Sequence, residues 1–202
     1  MTVDPETTDY KDVYKLMIGS IVPRPIAFVS TVSPEGIRNL APFSFFTGVS
    51  ANPPVVCFCP LRRPAGDPRK DTLRNIAATR EFVINIVSEE FAGPMNACSA
   101  DFPPEVDEFA VSGLTAIPSE LVKAPRVAES HVHMECRLRL IYEVSGVAGG
   151  GNLVLGDVVR FHVDDRYVDR FRIDPDRLRA IGRMGGATYA RTMDRFDLVR
   201  PQ

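Results

Sequence analysis

The pattern of apolar and turn-forming positions in the first quarter of the chain predicts a β-hairpin. Residues 23–46 read PRPIAFVSTVSPEGIRNLAPFSFF. The first half is apolar and β-branched, the residues Ser33-Pro34-Glu35-Gly36 have the composition of a tight turn, and Ile37–Phe43 forms the returning strand. Because Pro42 has no N–H to give to a ladder, the hairpin is expected to lie at the edge of a sheet.

The rest of the chain predicts further strands separated by short helices. A first helix is indicated near the N-terminus by apolar residues at steps of three and four, namely Val13, Leu16, Met17 and Ile21. Two more helices are predicted, one opening at Asp71-Thr72 with one of these residues as its N-cap, and one from Ser88 through Cys98. Strands are predicted over Phe45–Ala51, Val55–Cys59 and Phe82–Val87, and a second, longer hairpin over His131–Val147 and Leu153–Val163. The segment Ser99–Ala124 is expected to be mostly irregular.

These elements predict a single domain of the α+β class that is dominated by β structure. No βαβ alternation is sustained and no internal repeat occurs, so a β-barrel with short inserted helices fits best, because closure removes free strand edges. A chain of 202 residues with 45% hydrophobic content can bury one core. We therefore expect one domain over residues 1–202, with its core at about 14–165 and a charged C-terminal tail at 166–202.

Composition narrows the classes of partner and the location. The net charge of -2 gives no general reason to expect nucleic acid or an anionic membrane. No apolar run approaches the roughly 18 residues of a membrane span, and the start MTVDPETTDYKD is unlike a signal peptide. We expect a cytoplasmic protein. The cysteines Cys57, Cys59, Cys98 and Cys136 have no C-x-x-C spacing and are expected to act as small buried hydrophobes.

A basic loop before the second predicted helix is a candidate anion site. Lys70-Asp71-Thr72 places a cation at a helix start, where unpaired N–H groups and the helix dipole favour a phosphate. Further cations are available from Arg62, Arg63 and Arg69, and from Arg24 in the hairpin. An ordinary capped helix after a solvated basic loop explains the same residues. Neither a P-loop nor a G-x-G-x-x-G motif is present, which disfavours those nucleotide sites.

Other residue patterns give little support for catalysis by side chains. His131, His133 and Glu135 share one strand face, but two histidines on a strand are more often surface residues, and we predict no metal site. His162 is expected to be structural. There is no G-x-S-x-G elbow, which disfavours a hydrolase. The polar and aromatic residues 39–46 and the glycine-rich tail near Tyr189 could together hold a flat aromatic ring.

Five segments, taken together, resemble a known family. They are RPIAFVSTVSPEGIRNLAPFSFF, RKDTLRNIAATREFVINIVS, VDEFAVSGLT, LGDVVRFHVDD and RMGGATYA, which together extend from about residue 14 to residue 189. In this order they resemble the flavin reductase-like, FMN-binding split-barrel family, whose members include flavoredoxin and the small reductase component of nitrilotriacetate-type monooxygenases. The resemblance implies an antiparallel split β-barrel and a homodimer with cofactor sites at the subunit boundary.

The resemblance also implies which residues bind FMN. The phosphate would contact Arg24, Lys70, Asp71 and Thr72, with Ser30 and Thr31 near the phosphate or the ribityl chain. The isoalloxazine ring would lie along Asn39, Leu40, Ala41, Pro42, Phe43 and Ser44, with main-chain amides at its polar edge. The C-terminal tail would close over the flavin through Arg183, Gly185, Gly186 and Tyr189.

The implied activity is that of an NAD(P)H:FMN reductase, which passes hydride from NADH or NADPH to FMN and could supply reduced flavin to a partner monooxygenase. Because the flavin performs this chemistry, no acid, base or nucleophile is needed and no catalytic side chain is predicted. Two alternatives stay open. One is a non-catalytic FMN electron-transfer protein of the flavoredoxin type, and the other is a split barrel that resembles pyridoxine-phosphate oxidase or handles haem.

Overall fold

A computed structural model describes residues 1–64 and 69–201. Residues 65–68, inside the predicted basic loop, and residue 202 lie outside the described residues. The helices are α1 (Tyr10–Ser20), α2 (Asp71–Thr79), α3 (Ala92–Ala97), α4 (Glu108–Ser112) and α5 (Pro175–Leu178), with 3₁₀ turns at Glu89–Phe91 and Asp165–Tyr167. The strands are β1 (Ala27–Val32), β2 (Arg38–Phe43), β3 (Phe46–Ala51), β4 (Pro54–Phe58), β5 (Glu81–Ile86), β6 (Ala116–Ile117), β7 (Arg126–Val127), β8 (Val132–Glu143), β9 (Asn152–Val163), β10 (Val168–Asp169), β11 (Arg172–Ile173), β12 (Ile181–Arg183) and β13 (Tyr189–Arg191).

Seven strands form one antiparallel sheet in the order β2-β1-β5-β8-β9-β4-β3. The two edge strands, β2 and β3, are consecutive in the chain, and only Ser44 and Phe45 separate them. Because a link of this length spans at most about 11 Å, the two edges of the sheet must meet there. The sheet is therefore curled into an open, split barrel, and the predicted fold class is confirmed.

Both predicted hairpins are present. In the first, β1 pairs with β2 from Ala27 opposite Phe43 to Val32 opposite Arg38, and β2 is an edge strand as predicted. Its turn closes with a hydrogen bond of 2.9 Å from the Gly36 N–H to the Ser33 carbonyl, and Gly36 has the positive φ of +90° that favours glycine. The second hairpin is β8–β9, in which the first strand ends at Glu143, four residues before the predicted end.

Alternate residues of the barrel strands serve two cores. Ala27 and Val29 of β1 face the barrel interior with Phe58, Phe82 and other buried residues of β4, β5, β8 and β9. Phe28 faces the other side and packs with α3, α4 and β7 in a second core. A close approach occurs at Gly156, where an added Cβ would lie 2.3 Å from the Phe82 ring. These cores fix β1 rigidly between the two halves of the molecule.

One detail of the predicted elements is wrong. The N-cap of α2 is Lys70, so Asp71 and Thr72 occupy the first two helical positions and neither caps the helix. The connection 99–124 is mostly irregular, as predicted, and contains the short helix α4, which is capped by the Asp107 side chain, an acceptor for the Phe109 N–H at 3.0 Å. Within the described residues, no helix is both long and apolar enough to cross a lipid bilayer.

Candidate functional site

A cleft of about 250 Å³ opens where the two edges of the sheet meet. It brings together two segments that are distant in sequence, the end of β2 with the β2–β3 link and the start of α2. Its lining residues include Tyr14, Asn39, Ala41, Pro42, Phe43, Ser44, Phe45, Cys59, Leu61, Arg63, Lys70, Asp71, Thr72, Asp101, Phe102 and Glu108. The predicted ring-binding and phosphate-binding segments therefore share one cleft.

The start of α2 provides backbone donors at the cleft. In the described part of the chain no side chain caps this helix, and the N–H groups of Asp71 and Thr72 have no acceptor. Helix starts of this kind bind anions, because their orphan N–H groups lie at the positive end of the helix dipole. Lys70 and Arg63 add two cations beside these amides. This donor set fits a phosphate group.

The apolar side of the cleft includes Pro42, Phe43, Phe45, Phe102 and Tyr14. Tyr14 and Phe45 are in edge-to-face contact, with ring centroids 6.3 Å apart. Such a surface next to a small number of polar groups is typical of sites that bind flat organic ligands. The chemistry of the whole cleft fits a ligand that combines an aromatic ring with a phosphate.

A buried hydrogen-bond network fixes the Asn39 side chain. Asn39 Nδ2 donates to Glu108 Oε1 at 2.8 Å, and Asn39 Oδ1 accepts from Thr72 Oγ1 at 2.7 Å and from Thr31 Oγ1 at 3.2 Å. Asn75 Nδ2 donates in turn to Thr31 Oγ1 at 3.0 Å. The Thr72 hydroxyl therefore donates its hydrogen bond to Asn39 and not to a ligand. Any anion at this helix start would be bound by backbone amides and cations instead.

Glu108 is a site residue that the sequence did not reveal. Its carboxylate is buried and also accepts from the Leu40 N–H at 3.2 Å. Burial raises the pKa of this carboxyl group, against the opposing effect of its hydrogen bonds. Glu108 directly follows Asp107, the N-cap residue of α4. The N-cap composition at Asp107 is the one local sequence signal that could have indicated a helix here. Its contact with Asn39 spans 69 residues and leaves no trace in a single sequence.

Asp101 neutralises the two cations of the cleft. Its Oδ1 lies 2.6 Å from Lys70 Nζ and 3.0 Å from Arg63 Nε. The hydrogen bond from Lys70 lowers the pKa of Asp101, burial opposes it, and the hydrogen bond from Arg63 adds to the lowering. Arg63 also contacts Asp71 at 3.0 Å. Sequence reasoning found the cations and missed this carboxylate, which comes from the irregular segment after α3.

Arg24 does not line the cleft with Lys70 and Thr72. The residue is buried, and its guanidinium donates to the carbonyls of Ile18, Ile21 and Met184 at 2.6, 2.7 and 2.9 Å. Its Nε donates to Ser44 Oγ at 3.2 Å. This placement does not agree with a direct phosphate contact, because the donors are directed at the protein. Arg24 instead joins the end of α1, the β2–β3 link and the C-terminal segment.

Three other predicted contact residues, Ser30, Thr31 and Leu40, do not line the cleft. Ser30 is fully buried on the outer face of β1, where its hydroxyl donates to the Pro125 carbonyl. Leu40 packs in the second core with Phe28. Thr31 reaches the site only through Asn39. The residues of the ring-binding segment that line the cleft are Asn39, Ala41, Pro42, Phe43 and Ser44.

The C-terminal segment borders a smaller adjoining cavity of about 170 Å³. Arg183 and Tyr189 line it with Pro42 and Ser44, so it is continuous with the wall of the cleft. The Arg183 guanidinium lies over the Tyr189 ring at 4.5 Å, and the Tyr189 hydroxyl donates to Asn96 Oδ1 at 3.0 Å. Gly185 and Gly186 line neither cavity and form the turn between β12 and β13.

A larger, apolar cavity of about 630 Å³ adjoins the other side of the cleft. It lies between α1 and the glycine-rich turn of the second hairpin, and Tyr14, Phe45, Cys59 and Leu61 line both cavities. Apolar side chains of α1 that line this cavity, including Tyr10 and Met17, are exposed. The cleft is therefore flanked by one cavity on each side of the β2–β3 link.

The histidines do not line the cleft. His133 is buried rather than at the surface, its Nε2 lies 2.8 Å from the Val127 carbonyl, and burial lowers its pKa to about 4. His162 Nε2 lies 2.6 Å from Glu135 Oε1, which agrees with the structural role predicted for it. Across residues 1–64 and 69–201, no group of three or more His, Cys, Asp or Glu residues is placed to hold a metal ion.

Comparison with known proteins gives consistent matches over the whole chain. The family model described as "Flavin reductase like domain" matches residues 18–173. An uncharacterized protein of Halalkalibacterium halodurans is 38% identical over 100% of this chain and 97% of its own length. The crystal structure of nitrilotriacetate monooxygenase component B from Bacillus cereus is 39% identical, covers 98% of both chains and superposes with a TM-score of 0.92. That of 2-nitrobenzoate 2-nitroreductase from Pseudomonas fluorescens is 31% identical, covers 100% of this chain and 96% of its own, and has a TM-score of 0.89.

Proposed function

The chain belongs to the flavin reductase-like family and is a flavin oxidoreductase, and we propose that it is an NAD(P)H-dependent FMN reductase. The observation that supports FMN most directly is the cleft itself. It combines an uncapped helix start and two cations with an apolar wall for a flat ring. A bound flavin would supply the hydride-accepting ring, with NADH or NADPH as donor.

The residues of this chain bind and orient in this proposal. Lys70, Arg63 and the amides of Asp71 and Thr72 bind the phosphate. Asn39 is held by Glu108 and by the Thr72 and Thr31 hydroxyls, so that the cleft wall does not rearrange when a ligand enters. Preorganisation of this kind lowers the entropy lost on binding. Ser44, tied to Arg24, fixes the end of the ring-binding segment.

An absorption spectrum and reduction kinetics test this function. The purified protein with added FMN should oxidise NADH or NADPH in steady state, and anaerobic stopped-flow should show bleaching of the flavin band with at least one of the two donors. A protein that binds FMN but shows negligible turnover with both donors is an electron-transfer protein of the flavoredoxin type. A Soret band in place of flavin absorption would indicate a haem-handling barrel.

The partners of the reaction are part of the same proposal. Bacillus cereus component B belongs by name to a monooxygenase system, which supports the supply of reduced flavin to a partner monooxygenase. Tyr10, Leu16 and Met17 of α1 are exposed, as is Ile21 directly after it, which supports a homodimer that covers this region. Light scattering at micromolar concentration should give twice the mass of the chain, and a monomer would refute the dimer.

A second acceptor class is favoured by the nitroreductase match. The Pseudomonas fluorescens enzyme is named for 2-nitrobenzoate and covers all of this chain. A nitroaromatic could therefore accept the electrons in place of an exchanging flavin. Consumption of 2-nitrobenzoate under anaerobic conditions, at a rate comparable to FMN reduction, would identify this class.

A further inference from the structure

We propose that Asp101 competes with the flavin phosphate for Lys70 and Arg63, and that this competition lets FMN exchange instead of remaining tightly bound. The inference rests on the proposed function and deepens it. It concerns how strongly the site discriminates between phosphorylated and unphosphorylated flavins, and how fast it releases them.

The geometry makes Asp101 resemble a bound anion. One oxygen, Oδ1, bridges Lys70 Nζ at 2.6 Å and Arg63 Nε at 3.0 Å, beside the helix start whose amides have no acceptor. A phosphate oxygen would require the same two donors. Both cations are therefore already neutralised, and a phosphate dianion placed beside Asp101 would meet a like charge.

The position of Asp101 allows it to leave. Its side chain is 62% exposed, and it belongs to a segment without regular structure after α3. A rotation of this side chain into water would free both cations without moving the backbone. Asp71 differs, because its side chain is only 12% exposed and contacts Arg63 and Arg74 within the first turn of α2. Asp71 is expected to keep its partners when a ligand binds.

Binding of FMN is then an exchange of anions. The two contacts of Asp101 break, its carboxylate becomes hydrated, and phosphate oxygens accept from Lys70, Arg63 and the amides of Asp71 and Thr72. Riboflavin has no phosphate and leaves the bridge intact. Asp101 therefore weakens FMN and leaves riboflavin unaffected, and the returning carboxylate assists the release of FMN.

The test compares the wild type with Asp101→Asn, which keeps the shape and removes the charge. Titration of FMN and riboflavin by flavin fluorescence, without any nicotinamide, measures both affinities independently of activity. Asp157→Asn is the matched control, because it removes the same charge and a surface pair with Arg139 at 2.6 Å that lies outside the cleft. Removal of the two competing ion pairs that Asp101 makes with Lys70 and Arg63 should lower the Kd of FMN by about twofold to thirtyfold.

The expected result is tighter FMN and slower FMN release in Asp101→Asn, with riboflavin and the Asp157→Asn control unchanged. The salt dependence of FMN binding should also become steeper in Asp101→Asn. In this variant FMN forms ion pairs through its phosphate without breaking any pair of Asp101, so salt screening weakens the complex more than the free protein. In a Lys70→Met background the effect of Asp101→Asn should shrink, because one of the two freed cations is gone.

The outcomes separate this inference from the proposed function. If FMN binds more tightly than riboflavin but Asp101→Asn weakens or does not change FMN, Asp101 positions the cations and the competition is refuted, while the FMN site survives. Equal tightening of FMN and riboflavin also refutes it. If neither flavin binds to the wild type or to Asp101→Asn, both the proposed function and this inference are refuted.

Discussion

Removal of the Lys70 ammonium group should weaken the binding of FMN and leave that of riboflavin almost unchanged. Lys70 is the N-cap residue of α2 and its Nζ contacts Asp101 at 2.6 Å. In Lys70→Ala the backbone cap is retained, since no side-chain bond caps this helix. The variant should therefore fold normally and lose only the cation.

The magnitude follows from two opposing effects. A hydrogen bond to a charged group contributes about 1.5–3 kcal/mol, which FMN loses in the variant. In the wild type, however, FMN must break the Lys70–Asp101 pair, which is partly exposed and contributes about 0.2–1 kcal/mol. The variant has no such pair to break. The net loss is about 0.5–2.8 kcal/mol, or roughly twofold to a hundredfold in Kd. Riboflavin should change by less than about twofold, because it has no phosphate to contact Lys70.

The assay is equilibrium titration of the flavin fluorescence with both ligands, at one ionic strength. Lys123→Ala is the control, because this exposed lysine lies in the loop between β6 and β7 and does not line the cleft. An equal loss of affinity for FMN and riboflavin, or an unchanged affinity for FMN, would show that the phosphate does not bind at the start of α2.

Three further predictions concern stability. Arg24→Met should lower the free energy of unfolding by about 3–5 kcal/mol in urea denaturation, because the carbonyls of Ile18, Ile21 and Met184 lose their donor. The ratio of FMN affinity to riboflavin affinity should stay unchanged, and a selective loss of FMN affinity would contradict the structural role of Arg24. Gly156→Ala should lower the melting temperature through overpacking of about 1–3 kcal/mol against Phe82, whereas Gly48→Ala, with no atom within 4 Å of the added Cβ, should not. The pKa of His133 falls from 6.5 to about 4 on folding, so its contribution to the free energy of unfolding is present above pH 6.5 and is lost as the pH falls towards 4. The loss amounts to up to about 3 kcal/mol. His133→Asn should flatten this part of the stability profile, and an unchanged slope would assign the pH dependence to other groups.

The elements that could be predicted from the sequence are those whose signal is local. The turn at Ser33–Gly36 and the strands β1, β2 and β5 follow from turn chemistry and apolar runs, which act within a few residues. The N-cap of α2 was misplaced by one residue, because Asp71 is a good cap type but is paired with Arg63 and Arg74 instead. Caps depend on which acceptor a side chain finds, and that is decided by tertiary contacts.

The site itself could be predicted only in part, for a related reason. Arg24 has the chemistry of a phosphate ligand, but a guanidinium satisfies backbone carbonyls equally well, and only the fold decides between them. Glu108 and Asp101 lie in the connection that carried no periodic pattern. Their importance comes from contacts with residues 69 and 31 positions away, Asn39 and Lys70. A single sequence does not encode such pairs in any local pattern.

The split in the barrel explains why the cleft is where it is. A fully closed sheet would pair every strand edge and leave no backbone donors or acceptors for a ligand. Here β2 and β3 are the two edge strands of the sheet, Pro42 offers no N–H to a further strand, and the start of α2 brings orphan amides to the same place. A ligand that fills this gap satisfies groups that the fold leaves open, so binding must stabilise the native state. At 100 times its Kd, FMN should add about 2.7 kcal/mol to the free energy of unfolding, and Lys70→Ala should need proportionally more FMN to reach the same shift.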